Sequence, residues 1–254
     1  MTTEAEQKTT VVLWGGLDPG GQAGLAADLQ AAQALGAETR IVVTALTVQT
    51  SATWLGGWPV ANDLRNHVVK NLDIPQKNVA IKSGMLATRH HAKALARFAE
   101  AHPEAPLVVD PLMASSSGGS MWPREDLAAM PAWLLTHLLP HARVVTPNWP
   151  ELAWLTGRAL TNRDEAEAAL AKLPCAAVLK GGHAPEALCG VDLVWDGQTI
   201  TALQPETVWK KSPRGTGCRL ATALAIELAR GKSLVASTLA AKALVARLAQ
   251  DHGV

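Results

Sequence analysis

Short apolar runs alternate with longer segments of helical periodicity along most of the chain. The apolar runs predict strands over residues 10–14, 40–46, 79–82, 107–110, 143–146 and 176–180. Several of these runs are apolar throughout, which is typical of strands buried on both faces. Strands that alternate with helices form βαβ units, so the pattern predicts an α/β fold in three layers, with a mostly parallel sheet between helices.

Helices are predicted where apolar side chains recur every three or four positions, over residues 22–35, 62–71, 89–101, 124–137, 164–173, 216–230 and 233–249. Late in the chain, Asp196-Gly197 separates two β-rich segments and favours a hairpin turn, because glycine tolerates positive φ. We therefore expect a β-hairpin at one edge of the sheet. The pattern further predicts a flexible tail over residues 1–9 and a single domain over residues 10–254.

The charge and cysteine content narrow the choice of partner. The 254 residues carry 23 Lys and Arg against 22 Asp and Glu, so no positive excess favours a nucleic acid or an anionic membrane. No apolar run reaches the length of about 20 residues that a membrane helix requires. The three cysteines form no CxxC pair, which favours a reducing compartment. We expect a cytoplasmic protein that acts on a small molecule.

Polar and glycine residues follow most of the predicted strands. Open α/β sheets bind their ligands beyond the carboxyl ends of the strands. These ends carry Gly15-Gly16, Gly84, Asp110-Pro111, Thr146-Pro147-Asn148 and Gly181-Gly182. The ligand site is therefore predicted at this edge.

The glycine-rich loop before the penultimate helix has the composition of an anion-binding turn. Gly215 and Gly217 allow a tight turn and a close approach to a ligand. Thr216 is predicted to cap the helix, whose first amides then favour an anion such as a transferring phosphoryl group. The helix dipole and Arg214 are expected to lower the thiol pKa of Cys218 and let it act as a base. Short glycine motifs also occur as plain helix starts, so the context must decide.

Seven segments, nearly all at predicted strand ends, follow one another in the order of a known family. They are GLDPGGQAGLAADL (16–29), TALTVQ (44–49), KSGML (82–86), DPLM (110–113), TPNWPE (146–151), KGGH (180–183) and GTGC (215–218). Together they resemble the hydroxymethylpyrimidine kinase and phosphomethylpyrimidine kinase family, which has a ribokinase-like fold. The resemblance covers almost the whole chain. It implies ATP-dependent phosphorylation of 4-amino-5-hydroxymethyl-2-methylpyrimidine and of its monophosphate in thiamine biosynthesis, with Mg²⁺ and a homodimer.

The resemblance also implies roles for particular residues. Those expected around the pyrimidine are Gly16, Asp18, Ala23, Gln49, Met85 and Leu112. Those expected to be catalytic are Cys218, Gly215, Thr216, Gly217 and Lys180, of which Gly215, Gly217 and Lys180 also contact the nucleotide. Asn148 and Glu151 match an Asn-x-x-Glu element for the nucleotide, and Glu151 with Asp110 is expected to hold Mg²⁺ through water.

Four positions depart from the family pattern. Gly20 stands for a serine, Gln22 for a glycine, Ala26 for a glutamine and Arg214 for a histidine. These changes leave two other functions open: a pyridoxal kinase of the same fold, and a pyrimidine-binding or regulatory homologue without catalysis. The pairs His90-His91 and His137 with His141 lack further ligands for zinc, and are expected at the surface or at helix ends.

Overall fold

A computed structural model describes residues 8–50, 53–114, 119–205 and 213–251. In these residues a nine-stranded sheet has the order β3-β2-β1-β4-β5-β6-β7-β8-β9. Its strands are β1 Thr10–Leu17, β2 Glu38–Gln49, β3 Trp54–Pro59, β4 Val79–Ser83, β5 Leu107–Val109, β6 Val144–Val145, β7 Ala176–Leu179, β8 Asp192–Trp195 and β9 Ile200–Leu203. The six strands from β2 to β7 in this order are parallel, and β3, β8 and β9 are antiparallel to their neighbours.

Helices cover both faces of the sheet. They are α1 Gly24–Ala34, α2 Asn62–Lys70, α3 Arg89–Ala101, α4 Arg124–Leu127, α5 Met130–Trp133, α6 Trp149–Thr156, α7 Arg163–Leu170, α8 Thr216–Ala229 and α9 Leu234–Asp251. Side chains of β1 alternate between the two faces: Val11 and Leu13 pack with α1, α8 and α9, while Val12 and Trp14 pack with α3, α5, α6 and α7. The predicted α/β class and the late hairpin are therefore confirmed.

The sequence pattern missed β3 and α6. β3 contains Gly56, Gly57 and Pro59, which are poor strand residues but are tolerated because this strand lies at the sheet edge. α6 begins just after Pro147 and contains Pro150 in its first turn. A proline is tolerated there because the amides of the first turn have no hydrogen-bond partner within the helix. With β3 at one edge and β9 at the other, antiparallel strands lie at both edges of the sheet.

The helix predicted over residues 124–137 is not continuous in the structure. It is divided into α4, α5 and a π-helical turn, Leu134–Leu138. Pro131 lies in the first turn of α5. A continuous helix would need a backbone N–H at this position to bond the preceding turn, and proline has none.

Two further expectations concern single residues. Thr9 was predicted in a flexible tail, but it is buried, and its carbonyl oxygen accepts a hydrogen bond from the Glu38 amide at 2.9 Å. The rest of that tail, residues 1–7, lies outside the described residues. His91, expected at the surface or a helix end, lies in the first turn of α3 as a helix-end residue, and it is only 1% exposed beneath the end of β3. Among the described residues, no helix is long and apolar enough to cross a membrane.

Candidate active site

The N-terminus of α8 lies against the carboxyl ends of β5 and β7. A Cβ atom at Gly217 would lie 3.4 Å from Lys180 Nζ and 3.9 Å from Asp110 Oδ2. Lys180 directly follows β7 and Asp110 directly follows β5, so the parallel topology carries both side chains to the same edge. The fold thus brings together three residues that the sequence placed in one site.

Gly215 determines how α8 begins. It is the residue before the first helical turn and has a left-handed backbone, with φ +74°, that glycine adopts without strain. A side chain here would collide with the Gln22 carbonyl oxygen. Thr216 is the first helical residue rather than the cap, so its predicted capping role is wrong. The first amides of α8 still have the orientation that favours an anion.

Lys180 holds two buried carboxylates beside this helix start. Its Nζ lies 2.7 Å from Asp110 Oδ1 and 3.7 Å from Glu151 Oε2. Burial alone would lower the pKa of Lys180, but Asp110 and Glu151 raise it above its ordinary value. Burial raises the pKa of Glu151 to about 7, against the lowering effect of Lys180. We call these three residues and Gly217 the charged side of the site.

Asn148 and Glu151 form the N-terminal cap of α6. Asn148 Oδ1 accepts from the Glu151 amide at 2.8 Å, and Glu151 Oε2 accepts from the Asn148 amide at 2.7 Å. This reciprocal capping box orients the Glu151 carboxylate toward Lys180. The Asn-x-x-Glu element therefore has a structural role that also positions a charged group.

The charged side fits a hydrated Mg²⁺. Asp110 Oδ2 is buried and accepts no hydrogen bond from the described residues. That oxygen and the Glu151 carboxylate are hard oxygen ligands of the type that Mg²⁺ takes together with several waters. Among the described residues, no group of three or more His, Cys, Asp or Glu could hold a metal, so protein ligands alone do not form a cage.

A second buried ion pair lies beneath the start of α8, and the sequence analysis did not identify it. Lys82 Nζ lies 2.7 and 2.9 Å from the two Asp28 oxygens, and both side chains are fully buried. Thr222 of α8 donates to Asp28 at 2.8 Å. Burial alone would lower the pKa of Lys82, but Asp28 raises it above its ordinary value. The one signal in the sequence was a lysine within an apolar strand.

Cys218 is buried in the first turn of α8. Burial raises the pKa of its thiol to about 11, and the nearby Lys82 ammonium offsets only part of this rise. The expectation of a lowered pKa is therefore wrong, because loss of hydration disfavours the thiolate more than the local positive charge favours it. The protonated thiol is the main form near neutral pH.

The other half of the site is built from uncharged groups, and we call Gly16, Gln49, Met85 and Leu112 its neutral side. Met85 is buried, and its Sδ would lie 3.0 Å from a Cβ atom at Gly16. Gln49 is the last residue of β2, and its Nε2 donates to Thr47 Oγ1 at 3.2 Å. Leu112 Cδ1 lies 3.9 Å from the Cβ position of Gly84.

Asp18 and Ala23 belong to the loop between β1 and α1. The Asp18 carboxylate accepts from the amides of Gly20, Gln22 and Ala23 at 3.0, 3.3 and 3.1 Å. These hydrogen bonds fold the loop and give Asp18 a structural role, while its contact with the substrate stays a prediction. Gln22, one of the departures from the family pattern, is exposed and is not among the residues with positive φ.

Arg214 connects the two sides. Its Nη2 donates to Gln49 Oε1 at 2.5 Å, and its Nη1 donates to the Thr50 carbonyl oxygen. The Arg214 carbonyl in turn accepts from Arg219 Nη1 at 2.7 Å. No pattern in the sequence predicts that a residue of the anion-binding loop binds a residue of β2.

Comparisons with known proteins identify the family of this chain. The family model for phosphomethylpyrimidine kinase matches residues 18–253. A hydroxymethylpyrimidine/phosphomethylpyrimidine kinase from Rhizobium meliloti is 35% identical over 241 residues, covering 90% of this chain and 85% of the relative. A solved phosphomethylpyrimidine kinase from Clostridium difficile 630 has a TM-score of 0.78 at 26% identity, with 95% of this chain and 99% of that chain covered.

A pyridoxal kinase is also a structural neighbour. The enzyme from Staphylococcus aureus, solved in complex with AMP-PCP and pyridoxal, has a TM-score of 0.79 at 29% identity, covering 94% of this chain and 87% of that chain. The fold is therefore the ribokinase-like fold that the resemblance implied. Because the family model and the relative from Rhizobium meliloti both extend over nearly the whole chain, the protein belongs to the phosphomethylpyrimidine kinase family.

Proposed function

We propose that the protein transfers the γ-phosphoryl group of ATP to 4-amino-5-hydroxymethyl-2-methylpyrimidine and then to the resulting monophosphate, in thiamine biosynthesis. The observation that carries the proposal is the approach of Gly217 in α8 to Lys180 and Asp110. An amide-lined helix start beside a lysine and a carboxylate suits a group whose charge spreads over three oxygens during transfer. The AMP-PCP in the pyridoxal kinase neighbour supports ATP as the donor.

In this mechanism, the start of α8 and Lys180 stabilise the charge that develops on the transferring group. The bond from the acceptor oxygen to γ-phosphorus forms as the bond to the β-phosphate oxygen breaks. The hydroxyl proton passes to the thiolate of Cys218, the minor form at neutral pH because its pKa is about 11. Mg²⁺, held by Asp110 and Glu151 through water, would neutralise phosphate charge when bound. Gln49 is suited to pair with a ring nitrogen and the exocyclic amine, because an amide is both donor and acceptor.

A product assay tests this proposal. Purified protein is mixed with ATP, Mg²⁺ and the pyrimidine, and monophosphate and diphosphate are separated by chromatography and identified by mass. We expect both products in sequence. Pyridoxal as the faster acceptor would favour the second candidate, which the solved pyridoxal kinase supports. Pyrimidine binding without ATP consumption would favour the non-catalytic alternative.

We infer a homodimer, supported by an exposed apolar surface on the β2–β3 edge and α2. Leu46 and Trp58 face each other across β2 and β3 and are 47% and 58% exposed. Leu55 and Leu64 add exposed side chains at 65% and 57%. Large apolar patches of this kind mark interfaces in soluble proteins. Light scattering should give twice the mass of the 254-residue chain, and Trp58→Lys should shift it toward the monomer.

We also infer a single domain over residues 10–254 and a cytoplasmic location. One continuous sheet that runs from Thr10 to Leu203 supports the first inference. Three free cysteines, Cys175, Cys189 and Cys218, support the second, because a reducing compartment keeps thiols unpaired. Limited proteolysis and cell fractionation test the two inferences.

A further inference from the structure

Arg214 places a cation where the neutral side meets the start of α8. Its guanidinium binds Gln49 and Thr50, and the next residue, Gly215, begins the turn into α8. In the described part of the chain, Arg214 forms no salt bridge with a carboxylate. The charge is therefore balanced by neutral oxygens only, and it remains available to an anion.

The guanidinium also has unused hydrogen-bonding capacity. Nη1 and Nη2 carry two N–H groups each, and the bonds to Thr50 and Gln49 use one of each, while Nε has no partner in the described residues. A guanidinium has five N–H donors in a rigid plane that suits phosphate oxygens. The Gln49 amide, which Arg214 holds at one end and Thr47 at the other, remains oriented.

The two reactions of the proposed function need different chemistry from the protein. The first acceptor is a neutral alcohol, which must lose a proton as its oxygen bonds to phosphorus. The second acceptor is a phosphate monoester, which is largely a dianion near neutral pH because its second pKa is about 6. It has no proton to lose, but it must approach the anionic γ-phosphate of ATP. The first step thus depends on a base, and the second on positive charge near the acceptor.

We propose that Arg214 is a specificity-determining residue that binds the phosphate of the monophosphorylated pyrimidine and favours it as acceptor over the neutral alcohol. This inference rests on the proposed function. The family's usual histidine at this position is charged only when it is protonated, whereas arginine is always charged. In the second step, a phosphate oxygen of the acceptor bonds to the γ-phosphorus, ADP leaves, and Arg214 offsets the repulsion between the two anions.

The test measures kcat/KM separately for the alcohol and the monophosphate in wild type, Arg214→Gln and Arg214→Lys. We expect Arg214→Gln to lower the value for the monophosphate about ten- to hundredfold, the effect of losing a hydrogen bond to a charged group. The value for the alcohol should fall less than about threefold, since Gln49 loses one of its two hydrogen bonds and keeps the one to Thr47. Arg214→Lys should recover part of the loss because it keeps the charge.

Two controls separate this role from the orientation of Gln49 and from proton transfer. Thr47→Val removes the other hydrogen bond of Gln49 and should lower both values by the same factor. Cys218→Ala should lower the value for the alcohol more than that for the monophosphate, opposite to Arg214→Gln. An equal loss for both acceptors in Arg214→Gln would overturn the inference, as would a wild type that accepts the alcohol but not the monophosphate.

A wild type that phosphorylates neither acceptor would end the proposed function, and calorimetry then decides the inference on its own. Binding of the monophosphate to wild type at least about tenfold tighter than to Arg214→Gln would support it. Equal dissociation constants in the two proteins would overturn it.

Discussion

The charged and neutral sides of the site are stabilised by different interactions. On the charged side, Lys180, Asp110 and Glu151 are held by one another, and the cap of α6 fixes Glu151. On the neutral side, Met85 packs against the main chain of Gly16, and the Gln49 amide is held by Thr47 and by Arg214. From this comparison we propose that the charged side carries out phosphoryl transfer, whereas the neutral side, with Arg214 at its border, selects the acceptor.

The strongest test of this division is Lys180→Met. It removes the cation between two buried carboxylates, and we expect kcat to fall about a hundred- to thousandfold for either acceptor, as when a group that stabilises transition-state charge is lost. Steady-state assays with both acceptors measure the effect. Lys172→Met, at an exposed lysine, should leave kcat unchanged. A change confined to the KM of one acceptor would contradict the division.

Cys218 tests whether proton transfer belongs to the charged side. With the alcohol as acceptor, Cys218→Ala should lower kcat about a hundredfold at neutral pH. In wild type kcat should rise as pH is raised above about 7, because the thiolate fraction increases tenfold per unit below its pKa of about 11. In Cys218→Ala that rise should disappear. A wild-type profile that is flat from neutral to alkaline pH would show that the thiolate is not the base.

Gln49→Leu tests the neutral side. Loss of the amide should raise the KM for the pyrimidine about tenfold, since a leucine cannot pair with the ring nitrogen and amine. The KM for ATP should stay the same because the hydrogen bonds of Gln49 in the described residues go to Thr47 and Arg214 and not to the charged side. Gln198→Leu, on the exposed hairpin, is the matched control. Equal effects on ATP and pyrimidine would show that the two sides are not independent.

The smallest expected effect is on protein stability and concerns His91, a buried histidine beneath the end of β3. His91 Nε2 lies 3.1 Å from the Val60 carbonyl oxygen after β3, and Arg65 Nη1 lies 3.3 Å from His91 Nδ1. Burial, aided by the charge of Arg65, lowers the pKa of His91 to about 4. Below pH 6.5 the unfolded chain therefore binds a proton that the folded protein does not, so the free energy of unfolding should fall between pH 6.5 and about 4.

Urea unfolding at neutral pH and at pH values from about 6.5 down to about 4 measures this effect of His91. His91→Gln should reduce the dependence on pH, while His67→Gln, at an exposed histidine, should keep it. A pH dependence that is the same in wild type and His91→Gln would refute the assignment.

The charged side could be predicted from the sequence because the topology of a parallel sheet determines where its strand-end residues lie. Lys180 and Asp110 each directly follow a parallel strand, and such strand ends meet at one edge whatever the side chains elsewhere. The sequence also predicts the start of α8 from its glycines. Most of the fold and the location of the site could therefore be predicted from the helix pattern and the order of the motifs.

Other contacts do not follow from the sequence because their partners lie far apart along the chain. Asp28 and Lys82 are 54 residues apart, and Gln49 and Arg214 are 165 apart. The pKa of Cys218 depends on how completely neighbouring elements exclude water, which no local pattern reports. β3 is missed because its pairing with β2 outweighs the poor strand propensity of its glycines.

The contact between Gly215 and Gln22 has a consequence for how this enzyme family can diverge. Because Gly215 meets the carbonyl oxygen of Gln22, the fit depends on the main chain at position 22 and not on its side chain. A mutation there leaves the fit intact, whereas almost any mutation of Gly215 introduces an atom into occupied space. The side chain at position 22 can therefore vary without disturbing the turn into α8, whereas the glycine at position 215 cannot be replaced without moving the chain.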